Sequence, residues 1–132
     1  MQIKKLVLTN FGSFSEANVE FDDTDLVGIV GEYTDNNKRS NGAGKSTLVE
    51  ALLYAWYGRG RTKDVAALVK EGTEHMRVRV EAMIDGQAVV VDRHCKLSKN
   101  DKLKSGLEVW VDNECKADGV LAGDIFLAGI LP

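Results

Sequence analysis

The sequence predicts an α/β fold, and three observations carry that expectation. A continuous apolar run at residues 26–30 ends at Gly31, which suits a strand covered on both faces. A glycine-rich segment follows and opens a stretch of helical periodicity at residues 45–57. Beyond it the period changes to two, in alternating runs at residues 77–84 and 87–93 separated by Asp85 and Gly86.

A chain of 132 residues suits one domain, and 44% hydrophobic content is enough for a core, which excludes general disorder. Seventeen basic and twenty acidic side chains leave a net charge of −3. That excludes a wholly basic nucleic-acid coat and leaves room for a local patch. No apolar run is long enough to cross a bilayer. Met1 to Lys5 lead straight into strand-like residues with no signal or transit peptide, so the expected location is cytoplasmic. Cys95 and Cys115 form no CxxC pair, and His75 and His94 add no ligand spacing, so free, packed thiols are expected and a zinc site is not. A bridge between neighbouring strands is the alternative.

Taken in order, residues 2–9 read as a strand and residues 18–21 as a second, joined by a turn of small residues at 12–15. The run at 26–30 is the covered strand. Residues 32–41 lack any aliphatic side chain and read as a loop. The helix at 45–57 places Leu48, Leu52, Leu53 and Trp56 on one stripe, and Gly58 is placed to stop it in a left-handed conformation. A shorter helix is expected at residues 64–70, with Asp64 in its first turn and Gly72 beyond its end. The Asp85–Gly86 hairpin follows, then a charged connection at 96–105, a strand at 107–111 and a turn at Asp112 and Asn113. Residues 118–132 read as a helix followed by an apolar tail, and there is no internal repeat.

The segment that carries chemistry is Asn41, Gly42, Ala43, Gly44, Lys45, Ser46 and Thr47. It follows a buried strand and begins a helix, the context of a phosphate-binding loop. Glycines at 42 and 44 let successive N–H groups converge on one point and leave no Cβ in a ligand's way. The helix adds its positive end at the same place. Lys45 supplies an ammonium for the outer phosphates, Ser46 a hydroxyl oxygen for Mg²⁺, and Thr47 a hydroxyl for the innermost phosphate. The full motif places glycine where this chain has Arg39, and the nearest earlier glycine is Gly31, so the strand-to-loop connection carries about eight extra residues. Arg39 reads as a solvated loop residue.

Two other segments are weaker. Residues 109–112 with Glu114 imitate an apolar strand ending in a catalytic acid, but Glu108 interrupts the run and Asp112–Asn113 is turn chemistry. The acid pair that would hold Mg²⁺ and activate water is absent on this reading, so no catalytic residue is assigned. The basic cluster at residues 59–63 is either a solvated loop near a helix C-terminus or an approach to nucleotide or DNA.

With these residues assembled, the chain resembles the N-terminal ATPase lobe of the SMC-like DNA-repair ATPases, in particular the SbcC type. Residues 6–14 resemble that family's opening strand and loop, residues 40–47 its Walker A motif, and residues 48–58 its first helix. Residues 124–132 resemble the segment leading into its Q-loop, whose glutamine would come next. Some members place an arginine after the Asn–Phe pair, where this chain has Gly12. The resemblance implies a P-loop NTPase of ABC/SMC-head type, with a mixed core sheet plus an antiparallel β layer. It implies that residues 1–132 are the N-terminal half of the head, with the coiled coil and C-terminal lobe absent. It also implies ATP and Mg²⁺ as ligands. The implied partners are the chain's own C-terminal lobe, a second head in a homodimer, a nuclease subunit and DNA, with no membrane. The implied task is to couple ATP binding and hydrolysis to DNA end processing and double-strand break repair. The fragment alone is expected to be inactive. A RecF-like or defence-type head without a nuclease partner, and a non-hydrolysing nucleotide-binding or interaction module, are the alternatives.

Overall fold

Alternation of side chains across a pleated strand explains most of the architecture. The computed structural model describes residues 2–12, 14–21, 43–58, 68–70, 72–98 and 102–131. Six strands, β1 (Gln2–Phe11), β2 (Phe14–Glu20), β3 (His75–Ile84), β4 (Gln87–Leu97), β5 (Leu103–Val111) and β6 (Glu114–Asp118), form one sheet. Its order is β2-β1-β3-β4-β5-β6, and every pairing is antiparallel. Helices α1 (Ala43–Tyr57) and α2 (Val120–Ile130) complete the described residues. This sheet is the antiparallel layer that the sequence announces; the strand expected at residues 26–30 and the loop at 32–41 lie outside the described residues.

One face of the sheet is apolar. Ile3, Leu6 and Leu8 of β1, Met76, Val78 and Val80 of β3, Val89 and Val91 of β4, and Leu107 and Val109 of β5 are all buried. Against them α1 sets Ala51, Leu52, Tyr54, Ala55 and Trp56, and α2 sets Leu127. The other face is polar, with Arg77, Arg79, Asp92, His94 and Glu108 in register across β3, β4 and β5. Asp85 and Gly86 turn at φ of 50° and 79°, and Asp112 and Asn113 at 49° and 66°, as the two expected turns require.

Four expectations are corrected. The buried face of α1 is centred on Ala51, Tyr54 and Ala55, while Leu53 is only half-buried, because two alanines let the helix approach the sheet closely. Of the helix expected at 64–70, Leu68 has 3₁₀-helical backbone, while Val69 and Lys70 are not helical. The Lys70 N–H donates to the Asn10 carbonyl at 2.8 Å and the Gly12 N–H to the Leu68 carbonyl at 2.7 Å. That backbone is spent on the end of β1, where Val69 bridges Phe11; residues 64–67 lie outside the described residues. The charged connection at 96–105 is shorter than expected, since Lys96 pairs with Lys104 and Leu97 with Leu103. Finally, the second strand runs Phe14–Glu20 rather than over residues 18–21, so residues 14 and 15 of the expected turn belong to it, whereas the helix expected after residue 118 is present at Val120–Ile130. Among the described residues no helix is long and apolar enough to cross a membrane.

Candidate functional site

Helix α1 begins at Ala43, inside the glycine-rich segment, so the backbone of Ala43, Gly44, Lys45, Ser46 and Thr47 forms its first turn. The first N–H groups of a helix lack intrahelical acceptors and, with the helix dipole, favour an anion. No acidic residue occupies that turn. Asn41 and Gly42, and the side chains of residues 43–47, lie outside the described residues. The donor types of that turn, main-chain amides with the Lys45 ammonium and the Ser46 and Thr47 hydroxyls in the sequence, are those a nucleoside triphosphate with Mg²⁺ calls for.

What the structure does describe is how that helix is held. Tyr54 packs on Phe11 of β1 with ring centroids 6.0 Å apart at 46°. Burial drives the Tyr54 phenol well above its ordinary range, and the neighbouring Cys95 thiol adds to the shift. Burial likewise raises the Cys95 thiol, partly offset by Tyr54. Although the two groups are neighbours, among the described residues Tyr54 Oη has no hydrogen-bond partner of good geometry. Both cysteines are free, Cys95 buried and Cys115 exposed.

At its far end α1 is closed by Gly58, at φ 77°, whose N–H donates to the Tyr54 carbonyl at 2.8 Å. The next carbonyl, that of Ala55, accepts from Arg93 Nε at 3.0 Å. Arg93 is 3% exposed, and its Nη2 donates to Asp124 Oδ1 of α2 at 2.6 Å. Reading the sequence assigned Arg93 no role. Its signal was parity: position 93 shares a strand face with Val89, Val91 and Cys95, where a charge is out of place.

Among the described residues the polar face of the sheet gathers ion pairs rather than a second reactive site. Arg77 Nε lies 2.9 Å from Asp92 Oδ1, an ion pair formed off the N–H direction, since that oxygen accepts no hydrogen bond of good geometry. His94 lies 3.8 Å from Glu108. Asp112, set aside as a catalytic acid, accepts from the Ala88 N–H at 3.0 Å and so braces its turn, and Glu114 pairs with Lys116 at 3.2 Å. Among the described residues no group of three or more His, Cys, Asp or Glu could hold a metal ion. The basic cluster at 59–63 lies outside the described residues.

The comparison that decides the family is a match of the AAA domain over residues 5–117, which runs from β1 through the whole sheet. The chain belongs to the AAA domain family. Within that family it resembles the N-terminal ATPase lobe of SMC-like DNA-repair ATPases. It is 30% identical to the DNA double-strand break repair Rad50 ATPase of Thermoplasma acidophilum over 121 residues, covering 91% of this chain and 12% of that protein. It is 26% identical to the SbcC component of the SbcCD nuclease of Staphylococcus epidermidis over 140 residues, covering 96% of this chain and 13% of that protein. It is 36% identical over 93 residues to the DNA replication and repair protein RecF of Acidothermus cellulolyticus, covering 70% of this chain and 23% of that protein. Among solved structures, the recombination mediator protein RecF with ATP superposes at a TM-score of 0.60 and 21% identity, covering 88% of this chain and 28% of that one. The likeness shows the fold of an ABC/SMC-type ATPase head. The chain therefore spans about an eighth of the length of the Rad50 and SbcC relatives it matches.

Proposed function

We propose that this chain is the ATP-binding half of an SMC-like ATPase head that, in a longer protein, controls DNA end processing and double-strand break repair. The single observation that carries the reading is the glycine-rich segment ending in Gly44, Lys45, Ser46 and Thr47 at the start of α1, in a chain of this family. The first-turn amides of α1 would receive the phosphates, Lys45 would stand against the outer ones, and Ser46 would ligate the metal. Bound Mg²⁺ supplies neutralisation of phosphate charge. The carboxylate that orients attacking water has no candidate here, so it is assigned to a separate C-terminal lobe, and the signature motif to a second head. A nuclease subunit and DNA are the further partners, in the cytoplasm.

Fluorescence titration with an ATP analogue tests the reading. The chain is expected to bind it saturably and only with Mg²⁺, to turn it over at no rate above background, and to lose affinity at least about tenfold in Lys45→Ala. Binding untouched by that substitution would overturn the assignment of the loop. A RecF-type head without a nuclease partner is the second reading, favoured by the 36% identity to RecF and the superposition on it. The sequence following residue 132 in the gene separates the two: long heptads around a Cys-x-x-Cys favour the SbcC type, and a compact continuation favours RecF.

A further inference from the structure

A buried guanidinium is costly unless its charge and its donors are both met. Arg93 meets them by reaching out of β4 to two helices at once. Nε holds the Ala55 carbonyl, one of the last four of α1, which have no intrahelical donor. Nη2 holds Asp124, the one charged residue of α2, which is 43% exposed on its outer side. Nη1 lies where a Cβ on residue 58 would stand, 2.9 Å away, so the glycine that ends α1 also makes room for this side chain. Trp56 and Tyr57 of α1 line a groove with Asp124 and Ala128 of α2 beside this tie.

Among the described residues little else joins the two helices. Helix α2 leans on β5, through Gly123 against Leu107 and the Gly119 N–H donating to the Leu107 carbonyl at 2.8 Å, and its first turn has no side-chain cap. We propose that Arg93 is a positioning residue that fixes α2 to the C-terminal end of the nucleotide helix, so that α2 follows the state of α1. The coupling half of this statement rests on the nucleotide reading of the loop; the tie itself does not. Ligand at the N-terminal end of α1 steadies that helix, the steadier helix holds the Ala55 carbonyl more firmly in place, and the tie that Arg93 already makes to Asp124 is held more firmly with it. By reciprocity, freeing α2 weakens the nucleotide.

The test uses the whole chain carrying Trp110→Phe, which leaves Trp56 as the one tryptophan and removes a residue of the polar face. Asp124→Ala breaks the ion pair while improving intrinsic helix propensity, so loosening of α2 cannot be blamed on the helix itself. Asp124→Asn keeps an acceptor without the charge. Without nucleotide, Asp124→Ala is expected to red-shift Trp56 emission and to speed amide exchange across residues 120–130 severalfold, with Asp124→Asn between it and the parent. With MgATP, the parent is expected to gain protection in α2, and Asp124→Ala to lose that gain and bind three- to tenfold more weakly. Unchanged exchange and emission in nucleotide-free Asp124→Ala would overturn the tie. Tight binding with an unchanged α2 response in that variant would overturn the coupling. If the parent bound no nucleotide, its titration would be flat and the coupling would fall with the loop assignment, while the nucleotide-free measurements would still decide the tie.

Discussion

Tyr54 is 1% exposed, and among the described residues its hydroxyl meets no partner of good geometry, with only the Cys95 thiol as a neighbour, so the phenol contributes packing and leaves a polar atom poorly compensated. Tyr54→Phe keeps the ring against Phe11 and removes the orphan oxygen. It is expected to stabilise the fold by about 1 kcal/mol in urea denaturation. The same burial sets an alkaline limit. Folded-state values of Tyr54 and Cys95 are raised from their ordinary 10.0 and 9.0, so above those values the unfolded chain sheds protons that the folded chain keeps. Their contribution is whole below about pH 9 and is lost as pH rises, because the unfolded state then binds fewer protons. The urea midpoint should therefore fall from about pH 9 upward. Cys95→Ala is expected to remove the earlier part of the fall and Tyr54→Phe the later part. A midpoint level across that range would contradict the burial of both groups.

Two glycines show how differently the sheet's faces constrain the elements beside them. A Cβ at Gly123 of α2 would sit 2.3 Å from Leu107 Cδ2, in the core, where no neighbour can yield. Gly123→Ala is expected to cost about 1–3 kcal/mol through overpacking. A Cβ at Gly106 of β5 would sit 2.2 Å from His94 Cε1, an imidazole on the polar face that can swing aside. Gly106→Ala is expected to cost less than about 1 kcal/mol, and equal losses at the two positions in thermal denaturation would refute the contrast. The element boundaries were legible for related reasons. Asp85–Gly86 and Asp112–Asn113 announce their turns through residue type, because positive φ favours those residues. The extra length of β4 and β5 was hidden. Lys96 and Lys104 look like a loop in sequence, yet charged side chains on a solvated sheet face leave the backbone ladder intact. The phosphate loop is proposed from sequence alone, where its spacing is chemistry in itself. The Arg93 tie was not legible there, since its partners lie 38 and 31 residues away and only folding brings them together.

At the scale of the molecule, among the described residues one face of the sheet is covered by α1 and α2, and Arg77 and Arg79 on the polar face are exposed. Helix α2 breaks the pattern of a surface helix. Of its eleven residues only Asp124 is charged, and that side chain is turned to Arg93. Leu121 and Ile125, four apart and so on one stripe, are 76% and 67% exposed, and Tyr57 beside the groove is 53% exposed. A helix apolar all round is normally covered on every side, and a contiguous exposed apolar patch is normally an interface. In the isolated chain a second copy can cover it with the same surface. Sedimentation velocity from low to high micromolar concentration is therefore expected to show reversible association. The double variant Leu121→Glu with Ile125→Lys places an i,i+4 ion pair on that stripe, which keeps α2 helical while making the patch polar. It is expected to sediment as a monomer with an unchanged far-ultraviolet spectrum. A wild-type chain that stays monomeric at every concentration would mean that these side chains are tolerated in water, and the interface assigned to α2 would have to be abandoned.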